Sequence, residues 1–183
     1  MDTENQENLD WPNLKKYRQE NHDLSSTVNS GKRIVFMGDS ITEGWSGLYP
    51  DFFENKDHIN RGISGQTTPQ MLIRFKPDVI DLSPSTVVIL AGTNDIAENT
   101  GPSNVKMITD NIFSMADLAS AHKIDIILCS VLPVYEYTWK KILDVPSYIY
   151  GVNTMLKDYC TDKSLRYIDY FSAMANEKKG LGE

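Results

Sequence analysis

Short, continuously apolar segments that alternate with amphipathic ones limit what this chain can become more than any other feature. Residues 86–91, Thr-Val-Val-Ile-Leu-Ala, run into Gly92 with no polar interruption after Thr86. A strand of that kind must be covered on both faces, as strands in parallel sheets are. Residues 33–37 and 125–131 repeat the pattern, and 59–62 and 165–170 repeat it more weakly. Between them, 104–121 sets Ile108, Ile112, Met115, Leu118 and Ala119 at helical spacing, and 147–160 does so with Val152, Met155, Leu156 and Tyr159. Residues 69–75 carry Met71, Leu72 and Phe75 ahead of a short piece around Val79, Ile80 and Leu82. Strand–helix alternation with right-handed crossovers predicts an α/β fold, a three-layer α/β/α sandwich around a five-stranded parallel sheet.

No repeat, low-complexity tract or linker divides the 183 residues, so 1–183 reads as one domain with residues 1–30 as an N-terminal helical extension. Within it, 11–24 places Leu14, Tyr17 and Leu24 among charged residues, the pattern of an outer helix. A net charge of −7 offers phosphates no basic face, which speaks against a nucleic-acid partner. No apolar run approaches the roughly 20 residues that span a bilayer. The acidic, polar start lacks the basic and apolar regions of a signal peptide, which makes the cytoplasm the default location. A chain beginning after a removed export signal would read the same, so a secreted or periplasmic place stays open. Cys129 lies in an apolar run and reads as a buried thiol; with Cys160 it has neither disulfide-framework nor metal spacing.

The chemistry sits just past the strands. Gly38-Asp39-Ser40 follows the first, Gly62-Ile63-Ser64-Gly65 the second and Gly92-Thr93-Asn94-Asp95 the third. With strand order 2-1-3-4-5, all three turns converge on one crevice at the carboxyl ends of the strands, where open α/β sheets bind ligands. Each turn alone has a bland reading: Ser40 as a helix cap, Gly65 as a turn glycine, Asn94-Asp95 as an Asx turn. Their coincidence does not. Trp45, Tyr135, Tyr137 and Trp139 flank these turns and are candidates for walls that hold an acyl chain or stack on a sugar ring. No Gly-x-Gly-x-x-Gly or Walker-type loop follows any strand, so no cofactor is expected. Asp39 and Asp95, with no histidine near them in sequence, make a poor transition-metal site, and no metal is expected.

In order, spacing and position these blocks resemble the first three of the SGNH (GDSL-type) hydrolases, over about residues 33–171. The resemblance implies the family's flavodoxin-like fold and a serine ester hydrolase. Ser40 would be the nucleophile, and the oxyanion would be held by the backbone N–H groups of Ser40 and Gly65 and the side-chain amide of Asn94. Asp39 and Asp95 would border the substrate and brace its loops. The implied partner is a small-molecule ester with a short acyl group, on an acetylated carbohydrate or a lysophospholipid. The family's fourth block, Asp-x-x-His after the fifth strand, has no counterpart here. Of the three histidines, His22 lies in the N-terminal extension, while His58 and His122 precede strands and belong at the opposite edge of the sheet. The expectation is therefore a chain cut before the catalytic block and the closing C-terminal helix, nearly inactive for want of a general base. Its uncovered layer would favour homo-oligomers. The alternative is a non-catalytic carbohydrate- or acyl-binding pseudo-enzyme of the same fold.

Overall fold

The computed structural model describes residues 10–27 and 31–181. Five parallel strands, β1 (Ile34–Gly38), β2 (His58–Gly62), β3 (Thr86–Leu90), β4 (Asp125–Cys129) and β5 (Arg166–Ile168), form one sheet in the order β2-β1-β3-β4-β5. The helices are α1 (Arg18–Ser25), α2 (Ser40–Leu48), α3 (Pro50–Glu54), α4 (Thr68–Asp78), α5 (Thr93–Ile96), α6 (Val105–Ala121), α7 (Val145–Lys163) and α8 (Tyr170–Met174). A 3-10 turn, Ile80–Leu82, follows α4. This is the predicted sandwich, with the predicted strand order.

Local chemistry sets the helix starts. Thr67 and Gln70 form a capping box ahead of α4, the Asn104 side chain accepts the Met107 N–H ahead of α6, and Asp144 accepts the Ser147 N–H ahead of α7. Helix α6 turns Ile108, Ile112, Met115 and Ala119 into the core, but Leu118, expected beside them, is 40% exposed and Ala116 takes the inward place. Helices α4, α6 and α7 pack in succession on one face of the sheet, over Val35, Met37, Val87, Ile89, Ile126 and Leu128.

Three elements depart from expectation. The N-terminal helix begins only at Arg18, because Asn13 takes φ 56° and the Asp10 carboxylate holds the N–H groups of Leu14 and Lys15 in a turn. Residues 1–9 and 28–30 of the expected extension lie outside the described residues. Strand β5 is three residues long, since Asp169 accepts the Ser172 N–H and starts α8 where the strand reading continued. Helix α3 escaped the periodicity altogether; it delivers Phe52 and Phe53 to a cluster of edge-to-face and stacked rings with Phe36 and Trp45.

The second face of the sheet is only partly covered. Between α2 and α8 an apolar cleft of about 220 Å³ lies against the strands, lined among others by Phe36, Val88, Leu90, Cys129, Tyr170 and Met174. Cys129 and Cys160 are free, buried thiols, and burial raises them to about 12 and about 11, so both stay protonated. Among the described residues, no helix is long and apolar enough to cross a membrane.

Candidate active site

The register of the sheet assembles the site. Gly38 stands beside Gly62 on one flank and Leu90 on the other, so three chain segments leave the strands at one level. Ser40 lies two residues beyond β1, Gly65 three beyond β2 and Asn94 four beyond β3.

At the first turn, Asp39 rather than Ser40 caps α2, its carboxylate accepting the Ile41 N–H at 2.9 Å. Ser40 is therefore the first helical residue, exposed, with its hydroxyl released from the capping duty that its sequence position alone allowed. Its own N–H belongs to the first helical turn, whose amides have no partner within the helix and carry the positive end of its dipole. The second turn is pressed against this helix. A Cβ on Gly62 would meet the Glu43 backbone nitrogen at 2.1 Å, so only glycine lets β2 and α2 approach so closely. Glu43 then accepts the Ser64 N–H at 2.7 Å and also binds the Ser64 hydroxyl and Lys16. These partners hold its carboxyl below the usual range against the opposing effect of burial. Gly65 follows at φ 76°, a conformation glycine adopts without a side-chain clash.

The third turn is joined to the second through carboxamides. Asn94 is 7% exposed; its Nδ2 donates to the Gln66 carbonyl at 3.0 Å, and its Oδ1 accepts from Asn99 Nδ2 at 3.0 Å. Asn99 Nδ2 also donates to the Gly65 carbonyl at 3.1 Å. The two carbonyl oxygens can only accept, so the orientation of both amides is forced: each must turn its NH₂ toward a backbone oxygen. The second Nδ2 hydrogen of Asn94 is left for another acceptor. This is a long-range bridge, not the local Asx turn that the sequence alone allowed.

Beneath these loops lies a buried cation that the motif reading did not find. Arg74, fully buried on α4, donates to the carbonyls of Gly38 (3.0 Å) and Arg61 (2.8 Å), to Gln66 Oε1 (2.5 Å) and to the Asp78 carboxylate (2.9 Å). One guanidinium thus joins the ends of β1 and β2 to the Gly65 turn. Asp95 does comparable work from the other side, accepting the Thr68 N–H and hydroxyl at the start of α4. Burial raises both Asp39 and Asp95 to about 6 despite these hydrogen bonds. Among the described residues, no group of three or more His, Cys, Asp and Glu side chains could hold a metal ion.

The aromatic residues divide. Tyr137 is buried, donating to the Thr93 carbonyl at 2.8 Å and pairing with the Thr93 hydroxyl at 2.9 Å. Trp139, 68% exposed, tilts against the Tyr137 ring at 5.2 Å, and Lys140 pairs with Glu98, so this loop stands beside the third turn. Tyr135 is exposed, with its backbone against Gly180. Trp45, expected over the crevice, instead stacks on Phe52 at 4.6 Å and lines the apolar cleft under α2. The histidines stay away. His58 opens β2 opposite Ile34 with its Nδ1 on the Phe52 carbonyl, His122 ends α6 with its Nδ1 on the Leu118 carbonyl, and His22 sits on α1.

The GDSL-like Lipase/Acylhydrolase family model matches residues 36–182. The fold superposes on a GDSL-like lipase of Bacteroides thetaiotaomicron with a TM-score of 0.90 and 48% identity, covering 93% of this chain and 84% of that one. Among curated relatives, YqeF, an uncharacterized lipoprotein of Bacillus subtilis, is 31% identical over 120 residues, which is 56% of this chain and 49% of the relative. An acetylxylan esterase of Geobacillus stearothermophilus is 31% identical over 94 residues, 38% of this chain and 42% of the relative. The chain spans about half the length of the curated relatives it matches. Three serine-, glycine- and asparagine-bearing turns on a 2-1-3-4-5 sheet, matched over nearly the whole described core, lead to one assignment: the chain belongs to the GDSL-like lipase/acylhydrolase family.

Proposed function

We propose that this chain carries the nucleophile and oxyanion site of a serine carboxylic ester hydrolase acting on short acyl esters. One observation carries the reading: an exposed, uncapped Ser40 hydroxyl shares a sheet edge with a φ-positive Gly65 and an Asn94 amide whose free N–H is fixed by its neighbours. Ser40 Oγ would attack the ester carbonyl. The negative charge formed on oxygen would be received by the N–H groups of Ser40 and Gly65 and by Asn94 Nδ2, donors that need no rearrangement as charge develops. The acetylxylan esterase relative supports ester chemistry on a small acyl group. Trp139 and Tyr135, exposed on the loop beside Thr93, would form the outer wall for substrate, while Asp39 and Asp95 brace the loops beneath it.

No histidine among the described residues borders Ser40, so the base that takes its proton comes, in this proposal, from a residue outside this set. The test compares the 183-residue chain with the gene's complete product on p-nitrophenyl acetate. The complete product should turn over about 10⁴–10⁶ faster, the cost of lacking a triad member, and its Ser40→Ala variant should fall to background. Equal rates in both forms would remove the proposal of an external base. The lack of a histidine beside Ser40 among the described residues also motivates a second reading, a binding domain without hydrolysis. It predicts ligand binding without turnover in the complete product as well.

A further inference from the structure

Three of the groups that hold the Gly65 turn lead to one short segment, residues 12–17. Gly62 ends β2, an edge strand, so no further strand is there to donate to its carbonyl. The Tyr17 hydroxyl donates to it instead, at 2.5 Å. Gln66, just after the turn, donates through Nε2 to the Pro12 carbonyl at 2.7 Å while its Oε1 accepts from Arg74. Glu43, whose carboxylate accepts the Ser64 N–H, has Lys16 as its counter-ion. The turn is thus gripped at 62, 64 and 66, on both sides of Gly65.

The segment is shaped for this grip and contributes little to the core. The Asp10 carboxylate and the φ 56° turn at Asn13 set its path. Of residues 10–25 only Pro12 and Tyr17 are buried. The Arg61 guanidinium lies 4.5 Å from the Tyr17 ring, a second hold on that side chain. Burial raises the Tyr17 phenol to about 12, so it stays a donor at neutral pH. A glycine has no side chain to restrict its backbone, so the direction of the Gly65 N–H must be set by its neighbours. An oxyanion donor acts only as far as that direction is fixed before charge develops. We propose that residues 12–17 fix it, with Tyr17 as the positioning residue whose hydroxyl holds the Gly62 peptide and, through it, the Gly65 N–H. The role given to that N–H rests on the ester-hydrolase reading, but its rigidity does not.

The test is NMR backbone relaxation on the 183-residue chain, read as order parameters of individual N–H groups. Tyr17→Phe removes the hydroxyl alone, and the Gly65 order parameter should fall from about 0.85, the value of rigid backbone, toward about 0.6. Lys16→Met removes the cation on Glu43 and should lower the Ser64 value in the same direction. Val87, on β3, should keep its parent value in both variants. The control is Gln19→Ala, whose side chain bonds Asp23 within its own helix, and it should change none of these values. A tyrosine that only stabilised the fold would lower the urea midpoint and leave the native-state order parameters as they were. Unchanged order at Gly65 in Tyr17→Phe or at Ser64 in Lys16→Met, or an equal loss at Val87, overturns the proposal. Failure of the ester-hydrolase reading would register separately, as p-nitrophenyl acetate turnover that Ser40→Ala does not lower, with the order parameters still responding to Tyr17→Phe.

Discussion

At the residue scale, the site depends on amides that hold one another. In the proposed site Asn94 would aim a hydrogen at the developing oxyanion only while Asn99 holds its oxygen and Gln66 holds its other hydrogen. Removing Asn94 takes away a donor, and Asn94→Ala should cost about 10²–10³ in kcat. Asn99→Ala leaves the donor but frees its rotation, and should cost about tenfold in kcat with KM little changed. The double variant should match Asn94→Ala alone, because Asn99 then has nothing to orient. Additive losses, measured on catalytically complete protein, would show Asn99 acting independently. The buried aspartates give a second prediction. Asp39 and Asp95 titrate near 6 in the fold against an ordinary value of 3.8. Between those limits the folded chain holds more protons than the unfolded one, so their contribution is full below about 4 and is lost as pH rises through about 6. Urea midpoints should fall from pH 4.5 to pH 7, and Asp39→Asn, which can still cap α2, should flatten part of that slope. That the turns bearing Ser40, Gly65 and Asn94 leave adjacent strands at one level was legible, because each follows an apolar run in the sequence. Asn99, Gln66 and Arg74 were not, because each is fixed by at least one backbone carbonyl that only folding brings near. A carbonyl has no signature in the sequence.

At the element scale, the strands were legible because each carries its own apolar run, and α4, α6 and α7 because their caps and periodicity agree. The failures share a cause in short elements whose identity is decided by neighbours. Helix α3 has five residues, too few to show a period, and exists because Phe52 and Phe53 complete a ring cluster with Phe36 and Trp45. Helix α1 docks through polar contacts: Asn21 donates to Asp78 and accepts from Arg61, and Tyr17 donates to the Gly62 carbonyl at 2.5 Å. Hydrophobic spacing cannot announce contacts of that kind. The element most dependent on a single side chain is the junction of β1, β2 and the Gly65 turn around Arg74. Arg74→Ala leaves the Asp78 carboxylate with Asn21 alone and takes a donor from three further acceptors, and breaking a buried pair typically costs about 3–5 kcal/mol. Urea unfolding of Arg74→Ala should show a loss of that size, whereas a loss under 1 kcal/mol would mean that water replaces the guanidinium.

At the scale of the whole molecule, the two faces of the sheet are unequal, and this inequality bears on catalysis. One face is sealed by α4, α6 and α7, whereas the other keeps the apolar cleft between α2 and α8. Of its lining, Ile41 and Met174 are each 41% exposed. Such a face favours association, so the 183-residue chain should sediment as concentration-dependent oligomers, and Met174→Lys should shift it toward monomer without lowering Tm. Ile41 and Thr42, the two residues after Ser40, also line the cleft. Any segment packed into it would therefore pass beside Ser40 and, on the proposed reading, would bring cover and base together. In sedimentation and p-nitrophenyl acetate assays run side by side, any addition to residues 1–183 that fills the cleft should lower association and raise turnover together. A gain in activity with association unchanged would separate cover from base.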